Sequence, residues 1–482
     1  MRSASIMKSS VSAPRHIPVA RWLGALFALV GPLGAAGAHA DTIQDALARS
    51  YLANPQLNAQ RANTRAVDET LPQARGQWMP QVTGQGNAGI MNQNLLSSRY
   101  SQSAFGGYDG NDLKTITNPV GATVIVSMNI FNGFRGVNGI NQAEAQIHQS
   151  REFLRNSEMT VLGQAAAAYM NLLRDTAVYE IRTDYVKVLE NQVEITKDRL
   201  KGGEATMTDV YQSQSYLSQA KQERVQAFIG LQASLAAYKQ VVQSAPVKLA
   251  PASPVDQLIP KNLQDALREA DAHHPGAVAA RYNVDISRYA VKIAEGQLAP
   301  TVNLQSSVGQ NWNYFGTTGQ RLYQGSGSIQ MNVPIYEGGV YYSQVRQAKE
   351  KFGEAELLFD QQINQIHQQV ETTWAQWQNA EKYLQAAREQ VRNAEAALAG
   401  LREELKFGQR TTWDILNYQA ILFRARVDFV TGQRDRILWS YNMLNAIGSL
   451  SAATLNLNVP QYQVTDHYDR VKSQFFGLEP WK

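Results

Sequence analysis

The feature that most limits how this chain folds is that it is written twice. Ile43-Gln44-Asp45-Ala46-Leu47 returns as Leu263-Gln264-Asp265-Ala266-Leu267, Asn54-Pro55 as His274-Pro275, and Gly76-Gln77 as Gly296-Gln297, each pair 220 residues apart. Further on, Phe131-Asn132-Gly133 returns as Tyr336-Glu337-Gly338, Gly203 as Gly408 and Asp209 as Asp414, now 205 apart. The second copy is therefore fifteen residues shorter, in the part matching about 90 to 120. Constant spacing with a single length change describes a fixed scaffold with one free loop. The stretch 244–262, with Pro246, Pro251, Pro254 and Pro260, joins the copy over 41–243 to the copy over 263–450, and 451–482 is a C-terminal tail.

Each copy reads helix, strand, loop, strand, long helix, turn, helix. The first pair of strands is expected near 78–92 and 118–132, where Val82, Gly84, Gly86, Ala88 and Ile90 alternate with Gln81, Thr83, Gln85 and Asn87, and Val120, Ala122, Val124, Val126, Met128 and Ile130 share one face. The second pair is expected near 298–314 and 323–337, with Val302, Leu304, Val308, Trp312 and Tyr314 on one parity and Tyr323, Ile329, Met331, Val333 and Ile335 on the other strand's. Period two over such lengths means a two-sided sheet. A soluble sandwich and an outer-membrane barrel both use that pattern. The other faces carry Asn, Gln, Ser and Thr with few charges, and aromatics gather at strand ends, which favours the barrel. Two copies of two strands cannot close one, since barrels start at about eight strands, and an open edge is not tolerated in lipid. Several chains are needed: a dimer would supply eight strands and a trimer twelve.

The helices are too long for a globule. No proline interrupts 338–405, roughly 100 Å of helix at ~1.5 Å per residue. Trp377, Ala380, Leu384, Ala387, Val391, Ala394, Leu398, Leu401 and Leu405 step by three and four, the seam of a left-handed coiled coil. Leu172, Tyr179, Val186, Val193 and Leu200 keep the same step in the first copy's long helix, expected over about 134–200. Return helices are expected over about 208–242 and 412–447. Each shorter helix before the strands should stack end to end with its return helix beside the long one, and Pro72 should kink the upper piece.

Residues 1–40 have the form of an export signal: Arg2, Lys8, Arg15 and Arg21 without an acid, the apolar run Trp22 to Val30, and Ala38-His39-Ala40 before Asp41. A retained anchor is the alternative. Those four bases account for the whole excess of 45 Lys+Arg over 41 Asp+Glu, so the mature chain is neutral and lacks a basic field for nucleic acid. With 0 Cys there are no disulfides, thiolate metal sites, cysteine nucleophiles or lipid-bearing N-terminal thiol. No phosphate loop, zinc-helix, EF-hand or nucleophile-elbow motif occurs, the His are scattered, and no catalytic residue, metal site or cofactor is expected. His273-His274, beside Pro275 at a helix entry, reads as structural or solvent-exposed.

Taken in order, these features resemble the TolC family of outer-membrane channel proteins over about 43–450. The resemblance rests on the tandem copies, the Asn54-Pro55 and His274-Pro275 openings, and the junctions Met128-Asn129-Ile130-Phe131-Asn132-Gly133 and Val333-Pro334-Ile335-Tyr336-Glu337-Gly338. It rests also on the turns Gly202-Gly203-Glu204-Ala205-Thr206-Met207-Thr208-Asp209 and Phe407-Gly408-Gln409-Arg410-Thr411-Thr412-Trp413-Asp414. It implies a mixed α and β membrane protein: a homotrimer with a twelve-stranded outer-membrane barrel continuous with a twelve-helix periplasmic tunnel and an equatorial girdle near the tail. The implied job is the exit duct of a tripartite export system of a Gram-negative bacterium, for type I protein secretion, multidrug efflux or both. An inner-membrane ABC or proton-driven transporter would energise it through a periplasmic adaptor (membrane fusion) protein. By resemblance Arg410, Asp414 and Asp209 fall at the closed aperture, a second acid of the ring is Asn417 here, and the gate tyrosine is Leu405. On their own residues, Arg410 and Asp414 read either as an exposed i,i+4 ion pair or as part of a charged ring around an axis, with Arg410 bridging neighbouring coils. Gly202, Gly203, Thr208, Gly408 and Thr411 mark the hairpins expected to contact the adaptor. A periplasmic coiled-coil scaffold without channel activity is the rival reading.

Overall fold

The computed structural model describes residues 41–99, 109–313 and 319–477, so the export-signal stretch and Tyr314 and Phe315 lie outside the described residues. The chain begins with α1 (Ile43–Ala53), α2 (Pro55–Asp68) and α3 (Thr70–Gly76). Thr42 and Asp45 form a reciprocal capping box at the start of α1, and Asn54 caps α2 directly before Pro55, whose missing N–H costs nothing in a first turn. Pro72 has no N–H to give the Asp68 carbonyl, and the helix breaks between Asp68 and Thr70.

Among the described residues six strands precede the long helices: β1 (Gln81–Ala88), β2 (Met91–Arg99), β3 (Asp109–Thr117) and β4 (Val120–Asn132) in the first copy, with β5 (Thr301–Trp312) and β6 (Arg321–Asn332) in the second. Strands β1, β4, β5 and β6 make one antiparallel sheet in the order β1-β4-β5-β6. The extra fifteen residues of the first copy are not a free loop. They fall within the stretch that forms the β2–β3 hairpin, registered from Met91 with Thr117 to Arg99 with Asp109. Its Asn- and Ser-rich strands have no apolar alternation to announce them, and backbone pairing makes them. β6 stops at Asn332, so Val333 and Ile335 lie beyond the sheet, on either side of Pro334 in irregular chain.

The cross-strand register makes the sequence parity physical. Val82 faces Val126, Gly84 faces Val124, Val124 faces Val308, Met128 faces Leu304, and Leu304 faces Ile329, so one apolar face runs across all four strands. Gln85, Thr123, Ser307 and Ser326 share the opposite face, where the Ser307 and Ser326 hydroxyls bond at 2.8 Å. One correction concerns Ile130: a bulge between Asn129 and Phe131 takes it out of register and sets Phe131, not Ile130, opposite Val302 on the apolar side.

The helical part is built from α4 (Arg135–Lys201), α5 (Met207–Val242), α6 (Leu263–His273), α7 (Pro275–Glu295), α8 (Val340–Lys406), α9 (Thr412–Ala446) and the short α10 (Thr465–Val471). Helices α4 and α8 are each 67 residues, about 100 Å long. α2, α3 and α5 all pack along α4, and α7 and α9 along α8, the end-to-end arrangement read from the lengths; α7 and α9 also touch α4, which binds the copies together. The heptad residues Ala380, Leu384, Ala387, Ala394, Leu398 and Leu401 are buried.

The main core lies midway along the rods. There α1 and α6, the middle of α4 from Leu154 to Leu172, Tyr238 and Val242 of α5, Ile366 and Val370 of α8, the end of α9 and tail residues Ala452, Leu455 and Leu457 close on one another. Asp41 is tied into it: its N–H donates to the Lys248 carbonyl (2.7 Å) and its carbonyl accepts from the Tyr169 hydroxyl (2.7 Å). The tail closes the layer from outside, with His467 Nδ1 of α10 3.1 Å from Asp68 Oδ2 of α2, both side chains buried.

Candidate functional site

At the far end of the rods each copy turns by the same device. In the first, the Gly203 N–H donates to the Leu200 carbonyl (3.0 Å) and the Glu204 N–H to the Arg199 carbonyl (2.9 Å); in the second, Gly408 donates to Leu405 (3.1 Å) and Gln409 to Glu404 (3.0 Å). This closure needs left-handed backbone at one residue, and Gly203 (φ 79°) and Gly408 (φ 73°) supply it without a Cβ clash. Gly202 is the right-handed last residue before it. A capping box then restarts each helix. Thr206 Oγ1 accepts from the Asp209 N–H (3.2 Å) while Asp209 Oδ2 accepts from the Thr206 N–H (2.8 Å) and hydroxyl (2.7 Å). Thr411 and Asp414 repeat it at 3.3, 2.9 and 2.8 Å. The backbone N–H bonds of Thr206 and Thr411 hold both carboxyls below the usual carboxylate range.

The two candidate aperture acids therefore each have a local task that the sequence reading did not assign. The Arg410–Asp414 ion pair, one of the two readings of these residues, is not formed. Arg410 Nε donates instead to Glu404 Oε2 at 2.7 Å, across the turn, while Asp414 Oδ2 accepts from Thr411. The first hairpin carries a looser pair of opposite order, Arg199 Nε to Glu204 Oε2 at 3.5 Å. Glu404, Arg199 and Glu204 were not singled out from sequence. Contacts five and six apart follow no helical spacing; only the turn geometry joins them. Asn417 lies one turn into α9, half-buried, and Leu405 packs partly buried against the seam of Leu398, Leu401 and Ile415. Thr208, Met207, Phe407 and Trp413 are exposed around the turns, Phe407 at 79%.

Arg410, Thr411, Asp414 and Gly408 thus gather on one hairpin and Gly202, Gly203, Thr208 and Asp209 on the other. The hairpins are braced above the tips by Tyr185 of α4, stacked at 4.5 Å on Phe423 of α9, with Leu189, Ala220 and Leu416 buried around them.

The other end of the chain is a single-layered wall. Its apolar face is bare: Val82, Val308 and Ile329 are each about two-thirds exposed. Among the described residues, β1 and β6 each pair on one side alone, leaving two open edges. A wall apolar on one side and amide- and hydroxyl-lined on the other, continuous with 67-residue rods, matches one kind of molecule. The family model described as outer membrane efflux protein matches residues 42–245 and 266–449, one match per copy.

The chain belongs to the outer membrane efflux protein family.

Its relatives carry the likeness over nearly the full length. The outer membrane efflux protein BepC of Brucella suis biovar 1 (strain 1330) is 36% identical over 438 residues, 91% of this chain and 92% of that protein. The outer membrane protein TolC of Escherichia coli (strain K12) is 22% identical over 431 residues, 86% of this chain and 84% of its own. The fold is shared with the crystal structure of the Campylobacter jejuni CmeC outer membrane channel, at TM-score 0.73 and 12% identity, covering 89% of each chain. Outer membrane efflux proteins are channel and transport proteins of the Gram-negative outer membrane.

Proposed function

We propose that three copies of this chain form the outer-membrane exit duct of a tripartite export system. The observation that carries the reading is the four-stranded sheet with one bare apolar face and two open edges. In lipid each unpaired N–H or C=O costs several kcal/mol, so the β1 edge of one copy must meet the β6 edge of the next. Three copies give twelve strands, and the six long helices with their return helices continue the wall as a periplasmic tunnel. The polar sheet face, of amides and hydroxyls with few charges, becomes a wetted lumen that places little chemical demand on what passes.

Nothing in this arrangement consumes fuel, so the duct relies on an inner-membrane ABC or proton-driven transporter acting through a periplasmic adaptor. The adaptor contacts the hairpins at Gly202, Gly203, Thr208, Gly408 and Thr411, where exposed Phe407 and Trp413 offer apolar area. The same tips converge on the axis as the aperture, with Arg410, Asp414, Asp209 and Asn417 around it. Cargo is protein, small toxic compounds, or both. Planar-bilayer recording of purified protein tests this. Stable, ohmic single-channel steps are the expected result. A pure, SDS-resistant oligomer that never conducts would return the chain to a structural scaffold.

A further inference from the structure

We infer that Glu404 is a positioning residue for the aperture: it holds the Arg410 guanidinium on its own hairpin and so keeps neighbouring hairpins from being latched together. This rests on the reading of the tips as the aperture. Arg410 sits on the turn, half-exposed, with two carboxylates of its own hairpin in range. Asp414 Oδ2 accepts both the Thr411 backbone N–H and its hydroxyl, and the Arg410 Nε bond goes not to Asp414 but to Glu404, at 2.7 Å. The turn itself does not need the Glu404 side chain, because the closing bond uses the Glu404 backbone carbonyl. The carboxylate is therefore free to serve Arg410 alone.

The first hairpin shows what this assignment excludes. There the helix end carries the base and the turn carries the acid, Arg199 with Glu204, and Glu204 is 71% exposed. Each chain thus presents one turn bearing an exposed acid and one bearing a guanidinium. Around a closed ring these turns alternate, so an Arg410 released by Glu404 has carboxylates on the adjoining hairpins to bond instead. A bond within one hairpin leaves the tips independent, whereas a bond between hairpins draws them together. Glu404 sets which of the two Arg410 makes.

The test is a double-mutant cycle read by single-channel conductance in planar bilayers, using the full-length oligomer and the variants Glu404→Gln, Arg410→Gln and the pair. Glu404→Gln removes the charge, keeps the shape and leaves the turn bond intact. Glu404→Gln is expected to lower conductance or open occupancy by roughly two- to fivefold, the range an exposed ion pair supports. In the Arg410→Gln background the same change should do nothing, which a merely structural role of Glu404 would not produce. A Glu404→Gln channel that conducts like the parent, or one whose loss persists without Arg410, overturns the inference while leaving the channel reading standing. A parent protein that never conducts overturns both, since an aperture residue requires an aperture.

Discussion

His274 and Asn54 occupy the same place in the two copies, the cap before a proline-led helix, and they solve it differently. Asn54 Oδ1 accepts from the Gln56 N–H at 2.9 Å; His274 Nδ1 accepts from the Gly276 N–H at 3.0 Å. An imidazole can accept there only while neutral. Burial, and then the Arg155 guanidinium, lower its pKa to about 4, against an ordinary 6.5. The facing groups are Arg155 of α4, whose Nη2 donates to the His273 carbonyl, and uncharged Gln362 of α8. The unfolded chain takes up a proton below its own pKa and the folded chain does not, so stability is complete above about 6.5 and drains away as pH falls towards 4. The loss is at most about 3 kcal/mol per chain. Replacing His274 with Asn, the first copy's own solution, should flatten that part of the profile, as urea unfolding at pH 7 and 4.5 will show. At the tips, Asp414→Asn keeps an acceptor for the Thr411 cap and removes the charge. Channels carrying it are expected to lose affinity for multivalent cation blockers with helix content and melting unchanged. Unaltered block would take Asp414 out of the aperture.

Among the elements, the long helices owe little to their own propensity and much to a seam that changes partners along its length. Near the middle it closes on α1, α6 and the tail; lower down it is a narrow strip of Tyr185, Val186, Leu189, Ala220, Leu416 and Phe423. A strip that thin has few neighbours able to refill a hole. Leu189, fully buried, should therefore cost about 2–5 kcal/mol when cut to Ala, lowering the thermal transition. A change no larger than for an exposed position such as Lys187 would contradict this packing. The heptads were legible because one stripe satisfied one neighbour. The bulge at Ile130 was not, since only the partner strand β5 shows which residue is left over. The β2–β3 hairpin escaped notice for a related reason: its pairing is backbone to backbone, and its sequence carries no two-sided pattern.

For the whole molecule, the decisive fact is an incomplete wall. Among the described residues a single chain exposes a continuous apolar sheet face and two edges that pair on one side alone, and the trimer proposed above would pair those edges between copies. In the proposed trimer, Ser328→Pro puts a proline, which has no N–H, into the edge strand β6 that would meet the next copy. Unheated samples in SDS should lose the slow-migrating oligomer, while far-ultraviolet circular dichroism keeps most of its helical signal. An oligomer that survives this change, together with a Pro placed at Gln85 of β1, would mean that the edges are not the joint.

The tandem copies, the rods, the strand parity and the positions of the two glycine-bearing turns were all decided by local rules of period, proline and glycine, which a linear sequence states outright. The tertiary structure alone decided that Arg410 answers to Glu404, that His274 is a cap, that Phe131 takes Ile130's place and that a second hairpin, β2–β3, stands in the longer first copy. Each of these depends on which atoms meet once the backbone has turned, and no periodicity along a chain encodes that.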